Sequence, residues 1–137
     1  MAEDNPDDVE LTREALSDSK LSVVLHNVSD GVEALAFLRK QGKYADVPTP
    51  DLLLLDLNMP RKDGRQVLEE LRSDPQLRPL PVVVLTTSGS AEDITSAYSL
   101  NANCYIQKPV DFAQFMRVVH AIEQFWFTIV RLPNRDA

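Results

Sequence analysis

"DLLLLDLNMPRKDG" (residues 51–64) decides the fold. Four consecutive leucines lie between two aspartates. A strand with one wet face alternates apolar and polar residues, whereas an unbroken apolar run suits a parallel strand buried on both faces. The run ends on Asp56. Pro60 and Gly64 shape a loop, and "RQVLEELRSD" (65–74) then sets Val67, Leu68 and Leu71 at helical spacing. "PVVVLTT" (81–87) is a second fully apolar strand, ending in two threonines.

Further out, strands and helices alternate. Asn5-Pro6 opens a first helix, with Asn5 as cap and Asp7, Asp8 and Glu10 at its positive end. "LSVVLHNV" (21–28) is a β-branched strand. "SDGVEALAFLRKQGKY" starts with a turn and continues as a helix, with Val32, Leu35, Ala36 and Leu38 at helical spacing. "SAEDITSAYSLN" (90–101) is a helix with Ser90 as cap, "CYIQ" (104–107) is a short strand, and "DFAQFMRVVHAIEQFWFTIV" (111–130) is the last helix. This alternation defines an α/β, doubly wound parallel sheet with helices on both faces. Sites in such sheets form at the carboxyl ends of the strands. Those ends carry Asp56, Thr86-Thr87 and Gln107-Lys108, together with Glu3-Asp4 if Met1-Ala2 is the stub of a first strand.

Bulk properties narrow the function. The 137 residues are 44% hydrophobic and 26% charged, ordinary for one globular domain. A net charge of -7 disfavours nucleic acid and anionic membrane as partners. The single Cys104 excludes an internal disulfide and a cysteine zinc cluster, and His26 and His120 make no metal signature. No apolar run reaches the roughly 18 residues that span a bilayer, and the acidic N-terminus is no secretory signal. The expected location is cytoplasmic.

Three carboxylates on one rim repel one another unless a cation sits among them. Glu3, Asp4 and Asp56 are hard oxygen donors with no sulfur or imidazole beside them. This selects magnesium or a similar divalent ion such as manganese. A lysine on the same rim suits a phosphoryl group, and an aspartate can accept one as an acyl phosphate.

"DLLLLDLNMPRKDG", "VVVLTTS", "YIQKPV" and the initial "EDN" together resemble the receiver domains of two-component response regulators, a flavodoxin-like fold. The resemblance covers essentially the whole chain. "KYADVPTPD" and "IEQFWFTIVRLP" resemble more narrowly the single-domain regulators paired with bacterial and cyanobacterial phytochrome histidine kinases. The resemblance implies that Asp56 takes a phosphoryl group from a kinase phosphohistidine. Glu3, Asp4 and the Asn58 backbone carbonyl would join Asp56 around the metal. The Thr86 hydroxyl, the Thr87 backbone N–H and Lys108 would bind the phosphoryl group, and Lys108-Pro109 would be a cis peptide. Thr86 would move inward on phosphorylation and make room for Tyr105. The fourth helix, fifth strand and fifth helix would then present a changed face. Met59, Pro60 and Gly64 are read as loop-shaping.

Residues 1–137 are read as one receiver domain with no output domain, residues 127–137 being a tail. Ser88 and Asn58 flank the path of attacking water and are small, which implies an acyl phosphate of moderate lifetime. The apolar residues Phe112, Phe115, Met116, Val119, Ile122 and Phe125-Trp126-Phe127 serve either core packing or a homodimer contact. Cys104 is expected buried and inert, and His120 on the surface. The chain is read as a phosphoacceptor and not a turnover enzyme. Two alternatives stay open: a degenerate receiver used as a binding scaffold, and an aspartate-nucleophile phosphatase, disfavoured because Asn58 stands where that class needs an acid.

The apolar first strand expected before the acidic pair is reduced to Met1-Ala2. Three outcomes follow: the chain continues upstream, another chain supplies the strand, or the sheet rearranges and displaces the pair.

Overall fold

A computed structural model describes residues 1–17, 24–87, 89–102, 104–107 and 117. Helix α1 is Pro6–Ser17, α2 Gly31–Leu38, α3 Gly64–Ser73 and α4 Ala91–Ser99, with a 3-10 turn at Gly42–Tyr44. Strands β1 (Leu53–Leu55), β2 (Val82–Thr86) and β3 (Cys104–Gln107) pair in parallel in that order. Every residue of β1 and β2 is buried, as the continuous apolar runs require.

The fold begins at a very short piece of sheet. Ala2 bridges in parallel to Val28 on one side and to Leu55 on the other. Its N–H donates to the Leu54 carbonyl (2.8 Å), and its own carbonyl accepts from Asp56 N–H (3.1 Å). Glu3 N–H donates to the Val28 carbonyl (2.9 Å), and Val28 N–H to that of Met1 (3.0 Å). Three residues therefore fill the central position of a first strand, and the acidic pair is not displaced. The expected strand over 21–28 is correspondingly weak. Of its described residues 24–28, only Val28 bridges.

The helix starts follow their capping residues. The Asn5 side chain accepts from Asp7 N–H (2.9 Å), Asp30 caps α2, Asp63 and Gln66 form a reciprocal capping box on α3, and Ser90 caps α4. In α3, Val67, Leu68 and Leu71 are wholly buried. In α2 the inward face is Gly31, Ala34 and Leu35, with Leu38 packed at its edge. Val32, expected to face inward, is exposed because it falls off that 3.6-residue stripe.

Arg72, at the end of α3, ties the back of the molecule together. Its guanidinium donates to the carbonyls of Leu100 (3.1 Å), Arg78 (2.7 Å), Leu80 (3.1 Å) and Asn101 (2.8 Å). Burial lowers its pKa, yet an arginine stays protonated. Replacing Arg72 with Met keeps the aliphatic stem and leaves four carbonyls without this donor. We expect a loss of about 2 kcal/mol. It should appear as a lower urea midpoint with an unchanged denaturant slope.

Ser88, Lys108, Pro109, His120, the last helix other than Arg117, and the tail, for all of which the sequence carries expectations, lie outside the described residues. So does the side chain of Cys104. Arg117 is helical and exposed.

Candidate phosphoryl and metal site

The carboxyl ends of the central strands form the site. The stub ends in Glu3-Asp4, β1 runs into Asp56, and β2 ends on Thr86. Glu3, Asp56 and Thr86 are buried at 1%, 7% and 0% exposure, whereas Asp4 is exposed. One carboxylate oxygen from each of Glu3, Asp4 and Asp56 lies within 4.8 Å of the others. The Glu3 carboxylate accepts from Asn5 N–H (3.3 Å) and that of Asp56 from Asn58 N–H (3.1 Å). The backbone on either side of the acids thus orients them.

The donor set fits Mg2+ or Mn2+. It consists of hard carboxylate oxygens, one of them facing solvent, where a metal can keep several waters. The structure brings the carboxylates of Glu3, Asp4 and Asp56 together. Asn58 is tied to Asp56 by the hydrogen bond from its N–H.

The loop after Asp56 is held on both sides. Met59 is buried, Arg61 adopts a positive φ of 67°, and Lys62 N–H donates to the Pro60 carbonyl (2.7 Å). Arg61 approaches the Asp30 carboxylate (3.5 Å), and the loop runs so close to α2 that a Cβ on Gly31 would meet the Lys62 carbonyl at 2.1 Å. Gly64 makes the equivalent approach to Asp56 itself. A Cβ there would stand 2.2 Å from the Asp56 carbonyl oxygen. At Gly64 the demand for glycine is therefore one of space.

Thr86 pairs with Gln107 and Val84 with Tyr105 in the β2–β3 register. Paired residues point to the same face, so Thr86 and Tyr105 share one side of the sheet, one step apart diagonally. Tyr105 is half-buried against the core. Thr87 is exposed, and its carbonyl accepts from the Gln107 side chain (3.4 Å). One neighbouring contact has no signal in the sequence: Arg65 at the start of α3 pairs with Asp93 in the first turn of α4. The two residues are 28 apart in the chain, beyond the reach of any local pattern.

Parallel strands, two buried carboxylates, an exposed third and a buried threonine at the strand ends define a receiver-type site. The model of the response regulator receiver domain family matches residues 1–120, and the chain belongs to that family. It is similar to the response regulator Rcp1 of Synechocystis sp., with 44% identity over 133 residues, covering 97% of this chain and 90% of that one. Among solved structures it resembles the phosphorylated cyanobacterial phytochrome response regulator RcpA (TM-score 0.94, 48% identity, 97% of this chain and 95% of that one). It also resembles the Mn2+-bound form of Rcp1 (TM-score 0.93, 44% identity, 97% and 96%). No helix among the described residues is long and apolar enough to cross a membrane.

Proposed function

We propose that this chain is a phosphoacceptor in a two-component pathway, taking a phosphoryl group onto Asp56 from a phosphohistidine of a phytochrome-type histidine kinase. The observation that carries the reading is the carboxylate triad of Glu3, Asp4 and Asp56 at the strand ends. A bound Mg2+ would neutralise charge on the triad and on the incoming phosphoryl oxygens. An Asp56 carboxylate oxygen attacks phosphorus as the phosphohistidine P–N bond breaks, and the leaving imidazole takes a proton. The Thr86 hydroxyl, the Thr87 N–H and Lys108 are assigned to the transferred oxygens. Thr86 and Tyr105, on one sheet face, are assigned to the switch, read out through α4, β3 and the last helix.

The similarity to Rcp1 and to the phytochrome response regulator RcpA supports the phytochrome assignment. A homodimer and a cytoplasmic location belong to the same proposal. Asn58 at the second position after the acceptor supports a phosphoacceptor over a turnover phosphatase, which needs an acid there. The test is phosphotransfer from a ³²P-labelled phytochrome-type kinase, with Mg2+ present and with EDTA. Label should pass to this chain with Mg2+ and fall at least tenfold with EDTA. No transfer under either condition would overturn the reading.

A further inference from the structure

We propose that Tyr98 is a positioning residue for the switch: its hydroxyl holds α4 against the edge strand at Tyr105 and so sets how readily Asp56 accepts phosphate. The inference rests on the phosphoacceptor reading above.

Helix α4 is lightly packed. Of its nine residues Ala97 alone is fully buried, so apolar contact does little to fix its place. Side-chain links do more. At its first turn Asp93 pairs with Arg65 of α3. At its last turn the Tyr98 hydroxyl accepts the backbone N–H of Tyr105 (3.1 Å).

That second bond joins α4 to the residue assigned to the switch. Among the described strands β3 is at the sheet's edge, and alternate N–H groups of an edge strand point away from the sheet. The Tyr105 N–H is one of these, and Tyr98 accepts it. Tyr98 itself is 48% exposed, so its ring is not held there by burial. The hydroxyl is the part of the side chain that specifies the position.

An interaction shifts a two-state equilibrium only if it differs between the states. The Tyr98–Tyr105 bond belongs to the arrangement described here. A shift of α4 along β3, or of the β3 backbone when Tyr105 turns toward Thr86, breaks it and hands the N–H to water. Removing the hydroxyl then weakens the resting arrangement alone and enlarges the receptive population. A neutral hydrogen bond shifts such a population about two- to tenfold.

Tyr98→Phe removes the hydroxyl and keeps the ring. Wild type and variant are labelled with acetyl phosphate and Mg2+, and the exchange of the Tyr105 amide hydrogen is followed by NMR. We expect Tyr98→Phe to take label two- to tenfold faster, with a melting temperature within a few degrees of wild type. In wild type the Tyr105 amide should exchange faster once Asp56 is phosphorylated. A folded variant that labels at the wild-type rate or slower overturns the role of Tyr98 while leaving Asp56 as acceptor. So does a Tyr105 amide whose exchange phosphorylation leaves unchanged. A wild-type chain that takes no label overturns the phosphoacceptor reading and this one with it.

Discussion

Asp56→Asn is expected to take no label from acetyl phosphate above background while folding normally. An amide oxygen is a poor nucleophile toward phosphorus and cannot form a stable acyl phosphate. The substitution is nearly isosteric, so the buried position and the approach of Asn58 N–H to the side-chain oxygen survive. A second effect separates this site from a surface acid. Glu3 and Asp56 are both buried and their carboxylates come within 4.8 Å. At that distance and an effective dielectric constant near 20, two like charges repel by about 3 kcal/mol. Removing one charge should raise the melting temperature in metal-free buffer by several degrees. It should also shrink the further rise that Mg2+ gives wild type, since binding to the folded state stabilises it only as far as the ion binds. Full labelling of Asp56→Asn would move the acceptor elsewhere, and an unchanged response to Mg2+ would remove Asp56 from the metal site.

The parts of this molecule that were legible in the sequence are those whose cause is local. Residues 52–55 and 82–85 are unbroken apolar runs, and β1 and β2 lie on those runs. Asn5, Asp30, Asp63 and Ser90 cap helices by reaching two or three residues along the chain. Asp56 and Thr86 were legible for the same reason, since each sits at the end of a readable strand. What was hidden depends on distant partners. Nothing local says whether Met1-Ala2 occupies the centre of a sheet. That is settled by bonds to Leu54, Asp56 and Val28, and 24–28 makes a single bridge where a strand was expected. Arg72 reads as a surface cation on an amphipathic helix, and its four carbonyl partners lie up to 29 residues away. Tyr98 reads as one more aromatic in a helix until β3 is laid beside it.

The second large effect is expected at Gly64, where function depends on a missing side chain. Gly64 opens α3, and its N–H donates to the Leu57 carbonyl (3.0 Å). A Cβ there would stand 2.2 Å from the Asp56 carbonyl oxygen, 2.7 Å from the Leu57 Cα and 2.9 Å from the Asp56 carbonyl carbon. All three are backbone atoms of the segment that carries the acceptor, so no rotamer change can clear the space. Either α3 lifts from the sheet, drawing Val67, Leu68 and Leu71 out of the core, or the Asp56–Leu57 backbone shifts toward the rim. Overpacking costs about 1–3 kcal/mol where side chains can yield, and against backbone the upper end applies. Gly64→Ala should therefore melt roughly 10 °C below wild type. Its labelling by acetyl phosphate should also slow by about tenfold or more, because displacements near 1 Å can cost about a hundredfold in rate. Gly42→Ala is the comparison that isolates the cause. Gly42 has a positive φ of 58° with nothing within 4 Å of its would-be Cβ, and it lies far from Asp56 in the sequence. That variant should lose about 1 kcal/mol from backbone strain and label at the wild-type rate. If Gly64→Ala behaved like Gly42→Ala in both measurements, the close approach of α3 to the acceptor backbone would be wrong.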